Sequence, residues 1–190
     1  MKWEVEKLTK KLLHELAISM PIIDEMEQQN FMGGTFYYDY SGNYLGSSGP
    51  GSDIRVATNW GIIGESIAFS EAAPSVVGGV LTSMANSIGY SGTVGVSYYD
   101  DPGKYAQAQG GQITYNLGSP SFGQDNYYDF LCTLLHENHH VMTPEDAGNP
   151  ESEYYAYQYE MTTFAYSQAS DEYKAATQRE YDRLKNLLGY

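Results

Sequence analysis

The amino-acid sequence predicts an α+β fold: a small twisted sheet, with one helix that carries the candidate site packed against C-terminal helices. Three observations lead there. Apolar residues recur at helical spacing near both ends of the chain and again over 127–141. Between these stretches lie short β-branched and tyrosine-rich runs, separated by Gly, Asn, Asp and Pro. The length of 190 residues, 42% of them hydrophobic, suffices for one well-buried core and is short for two. We expect an N-terminal helical arm over residues 1–30 and one domain over 31–190, with the site inside 127–168.

Each element has its own signal. Val5, Leu8, Leu12, Leu16 and Ile18 place a helix within residues 3–29, interrupted near Pro21. Phe36-Tyr37-Tyr38, a Ser41-Gly42-Asn43 turn and Tyr44-Leu45-Gly46 read as a hairpin, and Asp53 to Ala57 as a further strand. Helix is expected over 62–88 in one or two pieces, with Pro74 suited to a first turn. Thr93 to Tyr99 reads as a strand with Val94, Val96 and Tyr98 on one face. It closes on the turn Asp100-Asp101-Pro102-Gly103, and Gln112 to Leu117 forms the next strand. Helices follow over 127–141, 150–168 and 170–188, with a Pro/Gly loop between the first two. No internal repeat is found.

Charge and composition exclude several function classes. The formal net charge of −14 argues against nucleic-acid binding through phosphate neutralisation. No Lys or Arg occurs between Tyr105 and Tyr173, while Asp and Glu recur throughout that stretch, a balance that suits a divalent cation. The single cysteine, Cys132, excludes an internal disulfide and reads as a buried thiol. No membrane span is expected: the charge-free run 72–99 comes closest, and its Ser, Thr, Asn and Gly content reads as a buried helix followed by a strand. The start, Met1 to Glu6, lacks the pattern of a signal peptide.

The chemistry concentrates in His136-Glu137-Asn138-His139-His140, which holds three of the four histidines. On a helix, His136 and His140 lie about 40° apart and can grip one metal ion, and Glu137 lies about 100° round from His136, beside it. There Glu137 can take a proton from a water that the metal acidifies. The apolar residues Phe130, Leu131, Leu134, Leu135, Val141 and Met142 fall on the other side. His139 would lie away from Glu137, so His140 is the second ligand and His139 a bystander. A catalytic zinc keeps three protein ligands and one open position. With Cys132 read as a buried thiol and His14 far upstream, the third should be a carboxylate from the helix that Asn149 and Pro150 begin, among Glu151, Glu153 and Glu160. Glu153 is chosen because it shares a stripe with Ala156, Tyr157, Glu160, Met161 and Phe164. Glu160 then suits a partner to a histidine N–H, or a surface or packing role, and Glu151 suits compensation of the helix dipole. Tyr157, one turn after Glu153, is the candidate hydroxyl donor to an oxyanion, with packing as its alternative role.

The motif His136-Glu137-x-x-His140, a Pro/Gly loop, then Glu153-x-x-Ala156-Tyr157 resembles the zincin metallopeptidases whose third ligand is Glu. The strand Ile113-Thr114-Tyr115-Asn116 is similar to the edge strand that runs beside the active-site helix in that family and pairs with an extended substrate. The resemblance covers residues 91–168, and the separation of His140 from Glu153 is shorter than in many large members. It implies a single zincin-like domain that binds Zn²⁺ through His136, His140 and Glu153. It further implies a peptide or protein substrate hydrolysed with Glu137 as general base. A second class is a non-catalytic, zinc-stabilised binding module. A third is the same peptidase deployed as a polymorphic-toxin effector: Tyr38 to Ser47 resembles short hairpins that precede effector domains in large secreted bacterial proteins. That reading implies export as part of a larger polypeptide.

Overall fold

Asp39 organises the first hairpin. Its Oδ1 accepts the backbone N–H groups of Ser41 and Asn43, each at 2.8 Å, and Asp39 N–H donates to Asn43 O at 2.9 Å. This turn joins β1 (Thr35–Tyr38) to β2 (Tyr44–Ser48). Gly42, at φ 84°, is required twice over: the backbone is left-handed there, and a Cβ would meet Gly79 C at 2.3 Å. These features come from a computed structural model that describes residues 34–49, 51–58, 65–101, 103–144 and 149–190, all within the unit Gly33–Tyr190. The helix expected over 3–29, and with it the arm assigned to 1–30, lies outside the described residues.

The expected α+β class holds, with the strands divided between two small sheets. The first has the order β2-β1-β3-β4, with β3 (Ile54–Val56) parallel to β1 and β4 (Ile67–Ala68) antiparallel to β3. The second has the order β5-β7-β6, with β5 (Gly95–Ser97), β6 (Ala106–Gln109) and β7 (Gln112–Asn116). Two corrections follow from the strands. The helix expected over 62–88 begins only at Pro74, because β4 and a 3₁₀ turn at Phe69–Glu71 take the residues before it; residues 59–64 are not described. The strand expected over 93–99 is confined to β5, and Tyr98 stands 71% exposed beyond its end instead of sharing a face with buried Val94.

Helix α1 (Pro74–Ser87) starts at its proline and packs through small residues. Gly78 lies against Val94 O and Gly79 against Ser41 O, so the residue before Gly95 and the turn at Ser41 approach the helix backbone closely. Thr82 adds a tie, accepting Val94 N–H at 2.9 Å while donating to Gly78 O. Helix α2 (Tyr127–Met142) is capped by Asn126, whose side chain accepts from Tyr128 N–H and Asp129 N–H. Its inner end is set in an aromatic cluster: Phe130 lies 5.2 Å from Phe69, 5.3 Å from Tyr115 and 6.1 Å from Phe122, ring centroid to ring centroid. Each such buried ring contributes roughly 2–3 kcal/mol. Cys132 is buried as expected.

The C-terminal part is α3 (Pro150–Met161), α4 (Phe164–Gln168) and α5 (Asp171–Leu188). The single helix expected over 150–168 is broken at Thr162 and Thr163. Their hydroxyls donate back to Tyr159 O and Glu160 O, and extended Thr163 (ψ 155°) becomes the cap of α4. Phe164, assigned to the stripe of Glu153, therefore belongs to another helix. Asn149 accepts Ser152 N–H at 2.7 Å and Pro150 opens α3, both as expected.

Helices α2 and α5 are latched by one carboxylate. Asp129 accepts Ser170 N–H at 2.8 Å and Ser170 Oγ–H at 2.7 Å, and Ser170 caps α5. Burial pushes the Asp129 carboxyl above its usual range, although both Ser170 donors and Lys174 pull the other way. The folded chain therefore binds this proton more tightly than the unfolded chain. The resulting stabilisation is complete below the unfolded-state value and is lost as pH rises through the folded-state one. Asp129→Ala, which strands the Ser170 donors, is expected to cost about 2 kcal/mol, read as a lower urea midpoint at unchanged slope. Asp129→Asn keeps an acceptor and should lose far less, its difference from the parent protein narrowing as pH falls.

Candidate metal centre

Helix α2 carries His136, Glu137 and His140, all buried. The imidazole centroids are 5.0 Å apart with planes at 71°, as one helical turn allows. Helix α3 lies across this face. Fully buried Ala156 lets the two helices approach closely, and Glu153, Tyr157 and Glu160 come with it.

The donor atoms converge. Glu153 Oε2 lies 3.2 Å from His136 Nε2, Glu153 Oε1 lies 3.4 Å from His140 Nε2, and the two Nε2 atoms are 3.3 Å apart. One ligand atom from each of His136, His140 and Glu153 lies within 4.8 Å of the other two, so the three could hold a metal ion. Zinc bonds of about 2.0–2.1 Å in a tetrahedron place ligand atoms about 3.3–3.4 Å apart, which matches these separations. The outer nitrogens are also occupied: His136 Nδ1 lies 3.3 Å from Glu160 Oε2, and His140 Nδ1 lies 3.1 Å from Ser152 Oγ. With each Nδ1–H donating outward, both Nε2 lone pairs and both Glu153 oxygens face the same point. Only a proton or a metal cation reconciles such a set.

The electrostatics agree. Burial alone would lower the pKa of His136, yet hydrogen bonds to Glu153 and Glu160 raise it to about 10. Burial pushes Glu153 up, but its bonds to His136 and His140 win and hold its carboxyl well below the usual range. Burial raises the carboxyl of Glu137, opposed by the two histidines and by a hydrogen bond from Ala108 N–H. Burial likewise raises the Tyr157 phenol, with Glu160 and Glu153 adding to it, so that it stays a neutral donor. The Tyr157 ring lies 4.4 Å from that of His136. A cleft of about 400 Å³ exposes all five groups, His136, Glu137, His140, Glu153 and Tyr157, to one space.

The structure thus brings together every expected site residue and sorts the alternatives. Glu160, fully buried, is the histidine partner and has no surface role; Thr177 Oγ1–H donates to its other oxygen at 3.4 Å. Glu151 lies at the exposed start of α3, where its Oε1 accepts from Tyr190 OH at 3.0 Å. His139 lines a separate groove with Ser152, Tyr155 and Tyr159, its ring 5.4 Å from that of Tyr159. Met142, placed by helix angle on the apolar side, is 75% exposed near the helix end. The edge strand needs a further correction. β7, which contains Ile113 to Asn116, is the middle strand of its sheet, and β6 is the strand that lines the cleft. Its Ala/Gln sequence has no apolar alternation, so β6 went unread. The available signal was Gly110-Gly111: both have positive φ (58° and 80°), as a two-residue hairpin turn requires. Ser152 and Thr177 carried no signal, since hydroxyl partners of this kind have no fixed spacing from the motif.

Zinc binding should respond in graded fashion. Glu160→Gln and Ser152→Ala are each expected to weaken it by about 10- to 100-fold, Glu153→Ala should weaken it further, and Glu151→Ala should leave it unchanged. Competition against a chromophoric chelator measures all four, and equal effects of Glu151→Ala and Glu153→Ala would refute the assignment.

Comparison of the chain with protein-family models, with curated proteins and with solved structures finds no match.

Proposed function

We propose that this chain is a zinc-dependent peptidase of zincin type. One observation carries the reading: Glu137 lies buried in the same cleft as the His136, His140 and Glu153 triad, yet is not one of its three donors. A purely structural ion needs neither a cleft nor a spare carboxylate. Zinc, when bound, would polarise a carbonyl and make a water more acidic.

The remaining work falls to side chains and backbone. Glu137 accepts the proton from the attacking water and returns it to the leaving amine. Its carboxylate is steadied by the Ala108 N–H, so the base is held from outside its own helix. Tyr157, a neutral phenol beside His136, donates to the oxyanion that forms as the carbonyl is attacked. The cleft-facing strand β6 suits main-chain pairing with an extended peptide. Deployment as a toxin effector would use the same chemistry. Its support is the sequence around the β1–β2 hairpin, and growth arrest on expression in a host, abolished by Glu137→Gln, is its test.

Glu137→Gln should retain zinc and lose peptide cleavage by about 10²–10⁴-fold. Tyr157→Phe should lower kcat by about 10²–10³-fold with KM little changed. Unchanged cleavage in Glu137→Gln would refute the mechanism, and a zinc-loaded parent protein that cuts no peptide would favour the non-catalytic binding module.

A further inference from the structure

Helix α5 lines the same cleft as His136. Tyr173, Ala176, Thr177 and Glu180 line it, a spacing of three, one and three residues that forms a single helical stripe. Opposite them run Tyr105 and Ala106, and the Tyr105 ring stacks on Tyr173 at 5.8 Å with planes at 26°. Ala106 and Ala176 are the small residues on this side of the lining.

We propose that this side of the cleft selects peptides with a basic side chain beside the attacked bond, and that Glu180 is the residue that reads the charge. The inference rests on the peptidase reading and names its substrate class. The cleft is lined by five carboxylates, Asp101, Glu137, Glu153, Glu160 and Glu180, against one ammonium, Lys104. A divalent ion leaves that balance negative. Glu153 and Glu160 are committed to the histidines and Glu137 to the water. Asp101 Oδ1 accepts Gly103 N–H at 2.9 Å, and Lys104 Nζ donates to Gln107 Oε1 at 2.9 Å. Glu180 is the remaining carboxylate of the lining. It pairs with Arg183 at 2.8 Å, but the two side chains are 47% and 58% exposed, and a pairing so open to water yields readily to a ligand cation. An Arg or Lys stem would lie along Ala106 and Ala176, and its charge would reach Glu180. The net charge of −14 draws basic peptides in and repels acidic ones.

The test uses short Ala-based peptides with Arg, Gln or Glu at each position flanking the central bond. Cleavage is measured with the zinc-loaded parent protein, and binding with zinc-loaded Glu137→Gln by calorimetry. At one flanking position, Arg should be favoured over Gln by about tenfold or more. Adding Glu180→Gln should bring that ratio toward one, and Glu180→Lys should favour Glu instead. Equal binding of Arg and Gln peptides, a preference that survives Glu180→Lys, or no binding of any peptide would overturn the proposal. Selective binding through Glu180 without cleavage would refute only the peptidase reading. Cleavage indifferent to charge would refute only the selectivity.

Discussion

A single imidazole ring is held between two carboxylates of one neighbouring helix, and the arrangement of α2, α3 and α5 follows from that grip. His136 meets Glu153 through Nε2 and Glu160 through Nδ1, residues two turns apart on α3. Both can reach one small ring only if α3 runs close along α2, which Ala156 at the contact permits. Tyr157 is then carried onto the ring face. Glu160 in turn needs a second donor, and Thr177 brings α5 in to supply it. The candidate metal centre and the packing of three helices are one set of contacts.

Such a grip is costly to build. Glu160 has no solvent exposure, and a buried carboxylate removed from water is favourable only where partners replace its hydration. The surroundings supply rigidity that a loose site would lack. The aromatic cluster around Phe130 anchors the inner end of α2, and the Asp129–Ser170 latch fixes α5 against it. A cation at the convergent donors therefore meets ligands already oriented, and little ordering remains to be done on binding.

What could be read from the sequence depended on whether a role needs a particular side chain at a fixed spacing. His136 and His140 announce themselves because two ligands for one ion need one helix face, and Glu137 because its place beside them is fixed by the same helix. Asn149 and Pro150 mark the start of α3 because capping has a short list of suitable residues, and the angle of Glu153 follows from that start. The break at Thr162 and Thr163 was hidden because either residue can continue a helix, and their hydroxyl bonds to the preceding turn decide otherwise. The partnership of Thr177 with Glu160 is a tertiary contact from a third helix, which local pattern does not encode. Strand β6 was hidden for a different reason: Ala and Gln favour no strand, and the pairing with β7 imposed by Gly110 and Gly111 overrides them.

The hydrogen bond from Ala108 to Glu137 has a consequence for how such a protein diverges. The donor is a backbone amide, which every residue type except proline provides. Position 108 can therefore take almost any residue but proline while its amide still acts on Glu137. The helix face opposite it has no such latitude, because each atom used there belongs to a particular side chain. Two sides of one cleft would then drift at different rates, and the contact made through a backbone amide would leave little trace in any comparison of sequences.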